Sequence, residues 1–265
     1  MFDWLHYDFM ITALWAVLLL VPLMALLGTM VVSNRLSFFS DALGHSAMTG
    51  VAIGVIAGVS DYRWILVLFG VVFALLMNRI RRSRLSSTDT VIGVFSSVGV
   101  ALGLALLSAR GNLSNYQSLL VGDILSITRE ELWVLGGALA VTLAIWLLCF
   151  NGFFAVSVNS SMARSKGIPT ALFDNLFVVL VAVVVMLAIR WVGLLLINAM
   201  LILPAASARN VARSMRSYHL LSVVFGLFAG VLGLARSYYN GIATGPAIIL
   251  VLAALFFGTF ILRKK

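Results

Sequence analysis

Nine apolar runs, each close to twenty residues, follow one another with only short loops between them, and this succession restricts the chain to one kind of fold. They cover roughly residues 9–32, 41–59, 63–80, 89–109, 130–150, 171–189, 192–212, 217–235 and 244–262. About 20 apolar residues in a helix cross the roughly 30 Å hydrocarbon core of a bilayer, so each run predicts a transmembrane helix. Composition agrees: 62% of residues are hydrophobic and 10% charged. A soluble domain is about 45–50% apolar and about 25% charged, so a water-soluble fold is excluded. The expectation is an all-α, polytopic transmembrane bundle of about nine spans forming a single domain over residues 1–265.

Charge orients the spans. The formal net charge of +9 would suggest nucleic acid in a soluble protein. Here the basic residues lie in short loops, where they orient helices instead, and no nucleic-acid partner is expected. With the N-terminus outside and the C-terminus cytoplasmic, thirteen Lys and Arg fall on inner loops: Arg35; Arg79, Arg81, Arg82 and Arg84; Arg164 and Lys166; Arg209, Arg213 and Arg216; and Arg263, Lys264 and Lys265. Five fall outside: Arg63, Arg110, Arg129, Arg190 and Arg236. The N-terminal stretch carries Asp3 and Asp8 and no basic residue, unlike a signal peptide, so the first span is expected to be retained. The single cysteine, Cys149, excludes an intrachain disulfide and reads as apolar filler.

Local signals refine the boundaries. Thr128 and Glu131 have capping-box spacing at the start of the fifth span. Pro169 and Pro246 sit near helix starts, where a missing amide does no harm, whereas Pro22 and Pro204 lie inside spans and predict kinks. Only Arg190 and Trp191 divide the sixth run from the seventh. Residues 112–124 are too short and polar to span and predict an outer-surface or re-entrant helix ended by Gly122. Gly50, Gly54 and Gly58 form two small-xxx-small steps on the second span, where another helix can approach closely.

One pair of residues stands apart. Asp41 and His45, four apart at the start of the second span, share a helix face about 6 Å apart along the axis. A charge at the centre of a membrane helix costs roughly 2.5–3.5 kcal/mol on insertion scales. A carboxylate oxygen with an imidazole nitrogen is a ligand pair for zinc or manganese. The plain alternative is a helix-start carboxylate beside a hydrogen-bonded histidine. Two groups cannot complete a site, but two copies of the chain, with their second helices near a common axis, supply four.

These residues carry a family resemblance. Leu36–Gly54 (LSFFSDALGHSAMTGVAIG), Val192–Arg209 (VGLLLINAMLILPAASAR) and Gly245–Ile249 (GPAII) resemble, in order and spacing, segments of the ABC-3 metal permeases, the membrane subunits of bacterial zinc and manganese importers. Ser40 and Gly44 replace the family's usual Gly and Ala, both small-for-small exchanges. The resemblance implies an inner-membrane permease that works as a dimer, with a separate cytoplasmic ABC ATPase and an extracytoplasmic metal-binding protein as partners. It implies zinc or manganese as the transported ion and no permanently bound cofactor. Independently, the chain lacks a Gly-x-x-x-x-Gly-Lys-Ser/Thr phosphate loop, so it is not itself the ATPase, and no nucleophile–base set suggests an enzyme.

The inner loop of about residues 151–169 contains Ala163 and Gly167, similar to the Ala-x-x-x-Gly of the importer coupling loop that docks on the ATPase; Ser161 stands where the family has Glu. Taken alone, that spacing is an ordinary helix end. Asn198 and Met200, within the seventh span, are candidates to line the pathway, with helix packing the plainer reading. His6 reads as an interfacial residue and His219 as the start of the eighth span. Asp89 and Asp174 suit first turns of helices, and Asp123 a turn or cap. Two other transporter classes fit less well. A metal-chelate permease needs a wider pathway and no internal ligand pair, and a proton-coupled carrier would use Asp41 and His45 as a relay and need no ATPase.

Overall fold

The computed structural model describes residues 3–59, 61–83, 86–109, 122 and 124–262. Among the described residues the chain is all-α, with no strand. Its helices are α1 (Asp8–Ser33), α2 (Phe39–Ile56), α3 (Arg63–Arg82), α4 (Thr88–Ser108), α5 (Arg129–Val158), α6 (Ser160–Ser165), α7 (Thr170–Val211), α8 (Met215–Asn240) and α9 (Thr244–Ile261), with short 3-10 turns at Asp3–His6 and Ile124–Ser126. The expected surface helix over 112–124 lies outside the described residues except at Gly122 and Ile124.

Seven of these helices are long and apolar enough to cross a membrane: α1, α3, α4, α5, α7, α8 and α9. Nine runs were expected, and two features account for the difference. Helix α2 occupies the second run, but Asp41, His45 and its Ser, Thr and Gly residues lower its hydropathy. Helix α7 contains both the sixth and seventh runs in 42 residues, about 63 Å at 1.5 Å per residue and so about twice the hydrocarbon thickness. The helical conformation breaks inside α7 at Gly193, with φ 75° and ψ 160°, a region open essentially to glycine alone. The helices continue through Pro22 and Pro204. Helix α5 continues to Val158, which makes Asn151–Val158 helical and leaves a shorter loop around α6.

The chain divides into two compact units. The first comprises residues 1–35, 118–143 and 190–265. In it α8 packs between α1 and α9. Trp4, Met10, Ala13 and Leu234 form a buried cluster, with Leu125 and Tyr238 against it, at the end where α1 begins and α8 finishes. At the opposite end Ala205, Ala208 and Tyr218 pack with Val32 and Met215. Gly122, with φ 63°, lies so close to the backbone of Val192 and Gly193 that neither turn leaves room for a Cβ on it.

The second unit comprises residues 36–117 and 144–189, and α2 is its centre. The helix begins after a sharp corner in which Arg35 takes φ 56°. It packs against α3 on one side and α4 on another. A Cβ on Gly50 would stand 2.9 Å from Leu66, and one on Gly54 2.5 Å from Tyr62, so these glycines admit the start of α3. Gly58 has no such neighbour; with φ 69° it ends the helix. Toward α4, Thr49 Oγ1 donates to the Gly99 carbonyl at 2.5 Å, and Gly99 and Gly103 lie directly on the backbone of Ser46, Met48 and Thr49.

Candidate functional site

The ionisable pair lies on α2 away from the face that seats α3. Gly50 lies nine residues beyond Asp41, a rotation of about 180° at 3.6 residues per turn, so the face against α3 is opposite the carboxylate. Asp41 and His45 fall on one stripe at i and i+4, and both are half-buried while Ala42, Leu43, Gly44, Ser46 and Ala47 around them are buried. Phe38, 64% exposed, continues the stripe past the helix start. The sequence places Asp41 and His45 together but gives no sign of Phe38 beyond the helical period.

His45 Nε2 and Asp41 Oδ2 are 3.7 Å apart, with the side chains 36% and 40% exposed. That is too long for a hydrogen bond and is close to a shared ligand geometry. An ion bound tetrahedrally at about 2.0–2.1 Å from each atom holds such a pair roughly 3.3 Å apart, a displacement that small rotations of the two side chains supply. The first-turn position of Asp41 also complements the helix dipole. Among the described residues no group of three or more His, Cys, Asp and Glu is gathered where it could hold a metal. The chain thus carries two donors of the four that a closed zinc site uses.

The other sequence candidates are placed as follows. Ala163 is buried in α6 and Gly167 is two residues past that helix, with φ 78°. Ile168 N–H donates to the Ala163 carbonyl at 3.1 Å and Gly167 N–H to the Arg164 carbonyl at 3.0 Å, the paired bonds of a Schellman cap. The Ala-x-x-x-Gly spacing is therefore that between the third-last helical residue and the left-handed glycine. At the other end, Asn159 Oδ1 accepts from Ser161 and Met162 N–H, each at 3.0 Å. Capped at both ends, the six residues hold a turn that leaves Met162 55% exposed, with nothing within 4 Å of a Cβ on Gly167. A concavity beside this turn is lined by Arg82, Ser161, Arg164 and Ser165. Asn198 is half-buried and Met200 is buried in the first unit.

The remaining polar residues have structural partners. His219 Nδ1 and Thr29 Oγ1 are 2.7 Å apart, the Tyr218 hydroxyl donates to the Thr29 carbonyl at 3.3 Å and Ser222 to the Ala25 carbonyl at 3.1 Å. These bonds tie α8 to α1 and account for the histidine without a metal. Asp174 lies 3.8 Å from Arg82, and beside it Asn78 Nδ2 donates to Asn175 Oδ1 at 2.7 Å. Asp89 follows a Ser87 cap whose hydroxyl accepts from Thr90 N–H at 3.1 Å. The capping box at α5 is present: Thr128 N–H donates to Glu131 Oε2 at 3.0 Å and Glu131 N–H to Thr128 Oγ1 at 3.3 Å. His6 is exposed, and Asp123 lies outside the described residues.

Known proteins resemble this chain along most of its length. The manganese import system permease protein ScaB of Streptococcus parasanguinis is 32% identical over 238 residues, 90% of this chain and 85% of its own. The high-affinity zinc uptake system membrane protein ZnuB of Haemophilus influenzae is 28% identical, over 98% of this chain and 99% of its own. The solved structure of PsaBC from Streptococcus pneumoniae in complex with Fab matches with a TM-score of 0.84 and 30% identity, over 96% of this chain and 91% of that one. The model of the ABC 3 transport family matches residues 6–263. A multi-pass helical chain matched over nearly its whole length, this protein belongs to the ABC 3 transport family.

Proposed function

We propose that this chain is the membrane-spanning permease subunit of an ATP-driven importer of divalent transition-metal ions, zinc or manganese, in the bacterial inner membrane. The observation that carries the proposal is the Asp41–His45 pair, held 3.7 Å apart on a half-exposed stripe of α2 opposite the face that seats α3. Two such stripes, one from each copy in a dimer, bring together two carboxylates and two imidazoles, a set that suits zinc and, with added water, manganese. The metal is cargo, so a site incomplete in one chain releases it when the two chains part. The names of ScaB and ZnuB, one manganese and one zinc, leave both ions within the proposal.

The reading includes nine crossings, with α2 and both halves of α7 counted, the N-terminus outside and the C-terminus cytoplasmic. In support, the start of α1, the end of α8 and the Ile124–Ser126 turn, all assigned to the outside, share one end of the first unit. In a Cys149→Ala background, cysteines at Ser83 and Ser214 are expected to react with an impermeant maleimide only in inverted vesicles, and a cysteine at Asn240 only in intact cells. Labelling of the Ser214 position from outside contradicts this topology.

Energy comes from a separate cytoplasmic ATPase docked on α6, and metal arrives outside on a binding protein. Reconstituted with the ATPase that co-purifies with it, the chain is expected to support ATP hydrolysis stimulated by zinc or manganese, tested one ion at a time. Gly167→Trp places an indole in open space beside the docking turn and forces a side chain into left-handed backbone, at a cost of about 1–2 kcal/mol. Such a cost confined to an exposed loop leaves the bundle folded. Metal-stimulated hydrolysis is expected to fall about tenfold or more while the purified yield is kept; unchanged stimulation counts against α6 as the coupling element.

A further inference from the structure

Helix α8 carries a second arrangement unrelated to metal handling. Phe228, Leu232, Arg236 and Asn240, spaced four apart, form a ridge along its outer half, and an apolar groove runs on each side of that ridge. One groove, of about 690 Å³, is completed by Trp4, Leu227, Val231 and Tyr239. The other, of about 560 Å³, is completed by α9 through Ala247, Leu250, Val251 and Ala254. The thirteen residues from Phe228 to Asn240 extend about 18 Å, close to the roughly 15 Å of one leaflet.

Arg236 is anomalous in this setting. It is one of the five basic residues on the side assigned to the outside, against the general bias. Arg63 pairs there with Asp61 at 2.8 Å, and Arg190 lies within electrostatic reach of Glu131. Arg236 is exposed and has no carboxylate within ion-pair distance among the described residues. Around it stand the aromatic residues of an interfacial belt: the Tyr7 and Tyr238 rings are 5.8 Å apart and the Tyr238 and Tyr239 rings 5.2 Å apart. A guanidinium at headgroup depth, crowning a ridge between two apolar grooves, is complementary to one anion bearing two hydrocarbon chains.

We infer that α8 holds a diacyl phospholipid of the outer leaflet, its phosphate on Arg236 and its two acyl chains seated in the grooves on either side of the Phe228–Asn240 ridge. Guanidinium forks bind phosphate oxygens in pairs, and the Asn240 amide adds a donor one turn away. The inference is independent of the transported ion. It separates from ordinary annular solvation because it requires the charge and both chains together.

Thermal unfolding of the detergent-purified full chain tests it, with dioleoylphosphatidylglycerol, its single-chain lyso form and uncharged dioleoylglycerol added in turn. Wild type is expected to be stabilised by the first at concentrations about tenfold below those needed of either other lipid. Arg236→Ala is expected to lose that preference, and Arg236→Lys, which keeps charge without the fork, to retain part of it. Equal stabilisation of wild type and Arg236→Ala overturns the inference, as does equal response to all three lipids. A Phe228→Cys variant that cross-links to itself in oxidised membranes overturns it too, because a second copy of the chain would then cover the ridge.

Discussion

Gly103→Leu in α4 is expected to destroy transport and sharply lower the thermal stability of the purified protein, although residue 103 is neither charged nor polar. A Cβ there would stand 2.9 Å from the Thr49 nitrogen and 3.0 Å from the Met48 carbonyl carbon. Those are backbone atoms of α2, which yield only if the helix moves. Overpacking a filled interior costs about 1–3 kcal/mol and sometimes more, and here the strain falls on the turn after His45. Gly93→Leu is the matched control. It lies in the same helix, is exposed and has nothing within 4 Å of an added Cβ, so its stability and uptake should stay near wild type. Fluorescence-detected size exclusion after heating reads stability, and radioactive metal uptake reads function. Equal behaviour of the two variants would remove the close α2–α4 seat from the account.

That seat was invisible in the sequence for a physical reason. Apolar runs announce that a helix is in the membrane, but a membrane gives no hydrophobic drive that says which helix meets which. Gly50 and Gly54 marked a close approach without naming α3, and Gly99 and Gly103 drew no notice. Spans and caps were legible because they depend on local chemistry: the Thr128–Glu131 box formed as its spacing required. The division of the long α7 was legible only nearly. Arg190 and Trp191 looked like a boundary because they are polar or interfacial, yet the backbone turns at Gly193, the residue beside them able to take φ 75°. Asn151 and Gly152 looked like a loop. Gly152 is instead the place where the Phe173 ring lies against α5, and the helix runs on for six more residues to Val158.

The pair at the centre of the proposal was the most legible feature, because an i, i+4 carboxylate and imidazole need no tertiary information to share a face. What the sequence lacked was the packing around the pair, in which Gly50 and Gly54 seat the start of α3 on the far side of the helix. Asp41→Asn and His45→Ala are each expected to abolish metal uptake, by a hundredfold or more, while membrane insertion and assembly with the ATPase are kept. Asparagine preserves the shape of aspartate and removes its charge. Alanine at position 45 leaves space on a half-exposed stripe rather than a hole in the core, so neither change removes much packing. Uptake measured with the folded fraction in hand separates loss of function from loss of fold.

Loss of uptake alone does not distinguish a ligand pair from a proton relay, since both fail without either residue. Metal binding does. Removing a group that merely orients a ligand typically costs about 10–100-fold in affinity, and removing a ligand should cost at least as much. Equilibrium dialysis of the detergent-purified permease–ATPase complex against zinc and then manganese, with the bound metal counted by mass spectrometry, is the direct test. The account predicts one ion for every two copies of the chain in wild type, and binding at least tenfold weaker in both Asp41→Asn and His45→Ala. Full binding retained by both variants would contradict it and return Asp41 to the role of a helix-start carboxylate.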